Sequence, residues 1–202
     1  MPGLSAGLIR EVILVDGGSE DATPLIAQET GCQLVTCAPG RAAQLRAGAD
    51  KARGDWFLFL HADTFLSRDW PERAEAHLRE RPHKAATFTL AYRSDASAAR
   101  WLAARANRRT RWFGLPYGDQ GLLISRKLYE EVGGYPDLPL MEDVALARAI
   151  GKSRLTLLSA EARTSAAKYE RDGWRKRAYA NAWLLGRYLM GASPERLARH
   201  YT

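Results

Sequence analysis

The segment that decides the fold is Trp56-Phe57-Leu58-Phe59-Leu60-His61-Ala62-Asp63-Thr64. Its five consecutive apolar residues are too few for a buried helix and predict a strand covered on both faces. A histidine and an aspartate come directly after that strand, and a helix is predicted over 70–81. Because ligands in open α/β sheets bind beyond the carboxyl ends of the strands, this turn is a candidate binding site.

The same order of strand, polar turn and helix occurs near the start of the chain. Residues 11–15 (Glu-Val-Ile-Leu-Val) predict a buried strand, Asp16-Gly-Gly-Ser19 predicts a tight turn, and a helix follows over 22–30. The alternation continues with strands predicted over 33–37, 85–92, 121–125 and 155–158 and helices over 41–53, 97–112, 126–132 and 141–150. This order predicts an α/β fold with a largely parallel sheet.

Length and composition fit one globular domain. Of the 202 residues 46% are hydrophobic, and we expect a domain over 1–171 and a helical tail over 172–202. The net charge of +7 favours anionic partners, namely nucleotide phosphates, nucleic acid or an acidic membrane surface. The two cysteines, Cys32 and Cys37, form no zinc motif and predict a cytoplasmic protein. We expect neither a membrane span nor, over 1–7, a signal peptide.

Two aspartates at predicted strand ends are candidates for nucleotide and metal binding. Asp63 could ligate Mg²⁺ or Mn²⁺ between two phosphate groups, or it could cap the next helix. Asp16 could accept hydrogen bonds from a base or ribose, while Gly17 and Gly18 would let the backbone approach a ligand. The alternative is an ordinary turn, because the segment matches neither the P-loop nor the dinucleotide-binding glycine pattern.

A second acidic pair, Glu142-Asp143, follows Pro139-Leu140-Met141 at the start of a predicted helix. Acidic residues are common in a first helical turn, where they complement the helix dipole. In the functional interpretation, Asp143 is a general base that deprotonates an acceptor hydroxyl. A polar loop, Tyr117-Gly-Asp-Gln-Gly121, could form an acceptor or diphosphate pocket. Clustered basic residues either form a solvated face or contact an anion: Arg105, Arg108, Arg109, Arg111 and 175–177.

The ordered set of motifs resembles glycosyltransferase family 2, which has the GT-A fold, and covers the chain from about residue 11 to its end. The resemblance is closest to a bacterial branch named "transferase 2, rSAM/selenodomain-associated". The matching segments are Val15-Asp-Gly-Gly-Ser-Glu-Asp21, Gly40-Arg-Ala-Ala-Gln44, Leu60-His-Ala-Asp-Thr64, Tyr117-Gly-Asp-Gln120, Gly133-Gly-Tyr-Pro-Asp137 and Leu140-Met-Glu-Asp143. A mixed, mostly parallel sheet flanked by helices is implied.

The resemblance implies a role for each matching residue. An inverting, metal-dependent transfer of sugar from a nucleotide diphosphate to an unknown acceptor hydroxyl is implied, with Asp143 as base beside Glu142 and a divalent cation, Mg²⁺ or Mn²⁺, on Asp63. Residues matching the nucleotide-sugar site are Asp16, Gly17, Arg41, Gln44, His61 and Asp63. Those matching the acceptor or diphosphate loop are Gly118, Asp119 and Gln120.

Three departures from the family pattern qualify these roles. His61 stands where the family has its first metal-motif aspartate, which leaves one carboxylate. Gly17 replaces the second aspartate of the first motif. The family also begins with a strand and helix ahead of the segment at 11–15, and residues 1–5 do not resemble that strand. We therefore expect a chain that lacks this strand and helix, as a fragment, a mis-started reading frame or a degenerate member.

Other functions remain open from the sequence. An inactive or truncated member could bind nucleotides or nucleic acid, although specific nucleic-acid recognition is not expected. The sequence lacks the glycine-rich activation loop of a nucleotidyltransferase and the aspartate nucleophile motif of a haloacid-type phosphatase, so neither of these functions is favoured. The tail helix over 172–190 has apolar residues at helical spacing behind the basic cluster at 175–177. It either packs on the domain or makes peripheral contact with the inner face of a membrane, where a lipid-linked acceptor would lie.

Overall fold

The computed structural model describes residue 3 and residues 7–200, and the expectation for residues 1–5 lies outside them except at Gly3. The strands are β1 (Ile13–Asp16), β2 (Gln33–Thr36), β3 (Trp56–Phe59), β4 (Thr64–Leu66), β5 (Ala85–Tyr92), β6 (Leu122–Ser125) and β7 (Leu155–Thr164). The helices are α1 (Thr23–Glu29), α2 (Arg41–Lys51), α3 (Trp70–Glu80), α4 (Ser97–Phe113), α5 (Arg126–Glu131), α6 (Glu142–Ile150), α7 (Ala167–Asp172), α8 (Trp174–Leu189) and α9 (Pro194–Ala198).

The strands form two separate sheets. β1 and β2 make a parallel pair, and the other five lie in the order β3-β6-β5-β7-β4. Within the larger sheet β5 and β7 run parallel, while β6 and β4 run antiparallel to their neighbours. The predicted α/β fold with a mixed sheet is confirmed. The parallel strand pairs are β1-β2 and β5-β7. β6 lies between β3 and β5 and runs antiparallel to both of them.

The two largest differences from the predicted strands are the end of β7 and the presence of β4, while β1 lies at Ile13–Asp16 instead of the predicted 11–15. β7 continues to Thr164 instead of ending at Leu158, and its second half alternates buried and exposed residues. Two of the buried positions in that half are Ala160 and Ala162, and because alanine is depleted in strands the local signal for a strand is weak. β4 is the other difference, since Thr64 opens a short strand against β7 and the next helix begins only at Trp70. The alternative that Asp63 caps that helix is therefore wrong.

The core lies on both faces of the larger sheet and beneath the tail. One cluster joins β3 to α5 and α6 through Phe57, Tyr129 and Leu146. Another cluster joins α6 to the tail, because Leu184 of α8 and Leu197 of α9 pack against Val144. Each buried leucine contributes about 2 kcal/mol of hydrophobic stabilisation. One face of the tail helix is therefore part of the core, as the packing alternative predicts.

Candidate active site

β1 ends in Asp16, whose side chain closes the turn that follows. Asp16 is 6% exposed, and its Oδ1 accepts hydrogen bonds from the Ser19 backbone N–H at 2.9 Å and the Ser19 hydroxyl at 2.5 Å. The Ser19 hydroxyl, helped by the Ser19 N–H, lowers the pKa of Asp16. Asp16 is therefore an ionised carboxylate at the end of a strand, with one oxygen already engaged by its own turn.

The amino end of α2 is fastened to β1 beside this turn. Gln44 Nε2 donates a hydrogen bond to the Val15 carbonyl at 3.1 Å. A Cβ on Gly17 would lie 3.1 Å from Gln44 Cδ and 3.3 Å from Pro39 Cα. A larger residue at position 17 would therefore crowd this junction, which gives the departure from the family pattern a steric reason. Gln44 is predicted to border a nucleotide, but its amide nitrogen is engaged in this hydrogen bond between α2 and β1.

Arg41, the first residue of α2, connects this region to α6. Its Nη1 lies 3.5 Å from Glu142 Oε1, and the Glu142 side chain is only 2% exposed. Burial raises the pKa of Glu142, as does the neighbouring Asp143 carboxylate, while the Arg41 guanidinium opposes the shift. The buried Glu142 carboxylate therefore forms an ion pair with the more exposed guanidinium of Arg41. Its neighbour Asp143, in contrast, faces a cleft.

The backbone is strained directly before this acidic pair. Met141 has φ 68° and ψ 19°, and it is the only residue other than glycine with a positive φ in the described part of the chain. Left-handed backbone costs a residue with a side chain roughly 1 kcal/mol or more. Burial of the Met141 side chain beside Leu140 and Val144 holds this conformation. The strained residue thus fixes the direction in which α6 begins and where Asp143 points.

A shallow cleft opens between β3, the loop before β6, α2 and α6, with about 370 Å³ of empty space that includes open solvent. Apolar and aromatic side chains form most of its walls, and it also contains the imidazole of His61 and the carboxylate of Asp143. The residues that line it are Leu45, Phe59, His61, Pro116, Tyr117, Gly118, Gly121, Leu122, Tyr135, Asp143 and Ala147.

Asp143 is held in the cleft by two backbone donors. The Gly118 N–H donates to its Oδ2 at 2.7 Å, and the Val144 N–H donates to its Oδ1 at 2.7 Å. Each carboxylate oxygen retains a lone pair for a further donor. The carboxylate is thereby fixed in orientation and remains able to accept a proton from a hydroxyl group in the cleft.

His61 lies on the other side of Gly118. A Cβ added to Gly118 would come within 2.4 Å of His61 Nε2, so only glycine allows the loop to pass this close to the imidazole. Burial lowers the pKa of His61, and the positive charge of Arg41 lowers it further, against the opposing effect of Asp143. The imidazole is therefore neutral at pH 7 and can accept or donate a hydrogen bond.

Tyr117, Gly118 and Gly121 of the 117–121 loop line the cleft, whereas Asp119 and Gln120 do not. Gln120 is fully buried, and its amide bonds the Thr110 hydroxyl at 2.8 Å and the Phe88 carbonyl at 3.0 Å. Asp119 has an Oδ1 that is sealed from solvent without a hydrogen-bond partner. Burial raises its pKa to about 6, against the effect of the Arg109 guanidinium. Of the three loop positions predicted from the sequence, only Gly118 therefore lines the cleft.

Asp63 is exposed outside the cleft lining, where its Oδ1 is 3.3 Å from the Thr64 hydroxyl and 3.4 Å from that of Thr164. Over residues 7–200, no group of three or more histidine, cysteine, aspartate or glutamate side chains could hold a metal ion. A cation held by Asp63 would have one protein carboxylate and would need most of its other ligands from a bound diphosphate, as Mg²⁺ commonly does. This donor set does not fit a metal centre built from protein ligands alone.

The sequence predicts a role for Tyr117 only as part of the polar loop over 117–121 and none for Tyr135, yet both line the cleft. Tyr117 lies under the Arg109 guanidinium, 3.7 Å from its ring centroid, and burial raises the pKa of Tyr117 to about 12. Tyr135 packs edge-on against Phe59, with the ring centroids 5.0 Å apart. Both tyrosines belong to segments that the resemblance marks, and each lies directly beside a glycine, which was the available signal.

The sequence profile of glycosyl transferase family 2 matches residues 6–135, which is more than half of the chain. The chain belongs to glycosyl transferase family 2. The match supports the broader resemblance inferred from the motifs, whereas the narrower bacterial branch stays a prediction. No curated protein sequence matches the chain.

Solved structures of similar fold agree with this family. The mannosyltransferase PcManGT from Pyrobaculum calidifontis, in complex with GDP-Man and Mn²⁺, has a TM-score of 0.62 at 19% identity over 92% of this chain and 56% of its own. TarS 1–349 from S. aureus, in complex with UDP, has a TM-score of 0.56 at 18% identity over 77% and 52%. Glucosyl-3-phosphoglycerate synthase from Mycobacterium tuberculosis, with Mn²⁺, UDP-Glc and phosphoglyceric acid, has 0.52 at 19% over 78% and 60%.

These likenesses confirm the GT-A fold predicted for this family 2 member. Because the sequence identities are below 20%, they carry the fold and not the substrate. The chain spans between about half and three fifths of the length of the structures it resembles.

Proposed function

We propose that this chain is a glycosyltransferase that moves a sugar from a nucleotide-diphosphate donor to an acceptor hydroxyl, with inversion at the anomeric carbon. The observation that carries the proposal is the Asp143 carboxylate, held by two backbone N–H groups in the cleft of a family 2 domain. A carboxylate fixed in this way, with lone pairs to spare, is suited to act as a general base.

The proposed reaction is a direct displacement. The acceptor hydroxyl donates its proton to Asp143 as its oxygen forms a bond to the anomeric carbon. The bond from that carbon to the phosphate oxygen breaks on the opposite face, and the nucleoside diphosphate leaves with the electron pair. Positive charge develops on the sugar ring, as in other glycosyl transfers. Neutral His61, across Gly118 from Asp143, is placed to hydrogen bond a sugar or acceptor hydroxyl in the same cleft.

The donor would bind along the amino end of α2. Arg41 carries a positive charge whose position is set by Glu142, and it is suited to an anionic diphosphate. Asp16 and Gly17 lie at the end of β1, where the base or ribose of a nucleotide would fit. Asp63 would hold the divalent cation, Mg²⁺ or Mn²⁺. When bound, such a cation would neutralise negative charge on the departing diphosphate.

The acceptor is proposed to be lipid-linked and the protein to work in the cytoplasm at the membrane's inner face. The outer face of α8 exposes Tyr179 and Trp183 next to Arg187, and Met190, which follows the helix, is also exposed. No helix of residues 7–200 is both long and apolar enough to cross a membrane. The variant Tyr179→Ala/Trp183→Ala would weaken vesicle binding by this helix without removing Leu184 from the core.

The test is a thermal-shift screen of UDP-, GDP- and dTDP-sugars, with and without Mn²⁺, followed by turnover assays. We expect stabilisation by one nucleotide class, and we expect Asp143→Asn to bind that donor but not to transfer its sugar. Retained turnover in Asp143→Asn would remove this residue from the role of base. Stabilisation without turnover by the wild type, across a range of acceptors, would favour a nucleotide-binding family member instead.

A further inference from the structure

The outer face of α4 presents a continuous stripe of tryptophan and arginine. Trp101, Arg105, Arg108 and Trp112 follow one another at spacings of four, three and four residues, which places them on one side of the helix. Trp101 is 53% exposed, Trp112 59% and the adjacent Phe113 64%. Large aromatic side chains this exposed, repeated along one face, commonly mark an interaction surface.

The opposite face of α4 fixes this stripe toward the outside. Ala99, Ala103 and Ala106 are buried. Asn107 binds the backbone of β5 twice, since the Leu90 N–H donates to Asn107 Oδ1 at 2.8 Å and Asn107 Nδ2 donates to the Leu90 carbonyl at 3.1 Å. The helix is therefore held against the sheet, and the aromatic stripe does not depend on a mobile element.

The charge on α4 has a single sign. Between Ser97 and Phe113 there are five arginines and no acidic residue. Arg109 is turned inward, toward the Leu115 carbonyl and the Tyr117 ring. The other four are exposed, and Arg105 stacks on Trp101 with its guanidinium carbon 4.8 Å from the ring centroid. Soluble surfaces usually intersperse both signs of charge, so this helix is matched to an anionic partner.

We infer that this face of α4 docks on an anionic lipid bilayer, with the aromatic rings at the level of the headgroups and the arginines on lipid phosphates. Tryptophan and phenylalanine partition into that layer, and arginine side chains extend along it to reach phosphates. A straight stripe about three helical turns long matches a flat surface. The inference does not rest on sugar transfer.

The neighbouring helix favours a bilayer over a nucleic acid. α8 contacts α4, and it too has no acidic residue from Trp174 to Leu189. Exposed apolar residues at its carboxyl end include Leu189 and Met190, which can enter a lipid layer but have no ring to stack on a base. From Phe113 the chain runs directly into Pro116, Tyr117 and Gly118 of the cleft. Docking through α4 would therefore keep the cleft near the headgroups.

The experiment is vesicle co-sedimentation of the full chain with neutral phosphatidylcholine and with phosphatidylcholine containing phosphatidylglycerol, at 0.1 M salt. We expect binding to the anionic vesicles only. Arg105→Glu/Arg108→Glu should lower the partition coefficient by at least about 25-fold, since each lysine or arginine near such a surface accounts for about fivefold. Trp101→Ala/Trp112→Ala should also weaken binding and remove a blue shift in tryptophan emission.

Matched controls separate this surface from general charge and hydrophobicity. Arg79→Glu/Arg81→Glu makes the same change in net charge at the carboxyl end of α3 and the residue after it, and Leu25→Ala/Ile26→Ala removes exposed apolar side chains from α1. Circular dichroism and thermal melts establish that each variant is folded. Wild-type protein that ignores anionic vesicles, or α4 variants that bind like their controls, would overturn the inference. Binding of duplex DNA or RNA that only the α4 variants lose, without vesicle binding, would assign the face to nucleic acid.

Discussion

Gly118→Ala should destabilise the protein through a collision with one identified group, the His61 imidazole. The backbone at Gly118 does not have a positive φ, so alanine is compatible with its local conformation. The added Cβ would lie 2.4 Å from His61 Nε2, about 1 Å closer than the 3.4 Å at which ordinary contact begins. His61 must therefore rotate or the loop must move, and the Gly118 N–H bond to Asp143 moves with the loop.

The expected cost follows from the position of the imidazole. Overpacking a filled site costs about 1–3 kcal/mol. His61 is only half-buried and borders the cleft, so it can swing toward the open side, which favours about 1–2 kcal/mol. For a chain of this length, that corresponds to a decrease in melting temperature of about 2–8 °C. Sugar transfer should also fall, because the imidazole would then occupy the cleft.

A double-mutant cycle with His61→Ala isolates this collision. Removing the imidazole should make Gly118→Ala nearly neutral, so the two changes should show a coupling energy of about 1 kcal/mol or more in urea or thermal unfolding. Gly186→Ala in α8 is the matched control, because nothing lies within 4 Å of its added Cβ. It should be neutral or raise stability by about 0.5–1 kcal/mol. Equal destabilisation by Gly118→Ala in both backgrounds would refute the close approach to His61.

Three further outcomes follow from the same geometry. Met141→Ile should have a free energy of unfolding about 1 kcal/mol or more below that of Met141→Leu, because a β-branched residue fits left-handed backbone worst. Equal denaturation midpoints for the two variants would contradict the strain at this position. Asp119→Asn should raise the melting temperature at pH 8 but not at pH 4. The folded-state pKa of Asp119 is about 6, above its usual 3.8, so the folded protein binds its proton more tightly and wild-type stability falls as pH rises through that window. A pH-independent difference would rule this out. Asp63→Asn should lose the Mn²⁺-dependent part of donor stabilisation, measured with and without chelator, while keeping the nucleotide part; an unchanged Mn²⁺ effect would place the cation elsewhere.

Most strands and helices could be predicted because the spacing of apolar residues within each segment is enough to indicate its structure. The apolar runs of β1 and β3 and the periodic helices needed no knowledge of distant residues. The end of β7 is not predicted from the sequence because its pairing with β4 and β5 is long-range and the alanines at its buried positions have low strand propensity. Gln120 looked like a ligand-binding residue for the same reason. Its partners, Thr110 and Phe88, are ten and thirty-two positions away, and nothing in the loop itself indicates them.

The sequence could not divide the Glu142-Asp143 pair, and the fold does so through one strained residue. Successive residues at the start of a helix point about 100° apart, so the two carboxylates cannot share one environment. The left-handed backbone at Met141 sets the angle at which α6 begins. Glu142 is thereby turned inward to the Arg41 guanidinium, while Asp143 is turned to Gly118 and the cleft. In the proposed reaction, buried Glu142 would keep the Arg41 guanidinium at the amino end of α2, where a diphosphate would bind, and Asp143 would accept the proton in the cleft. The two adjacent acids would then serve opposite ends of the proposed displacement.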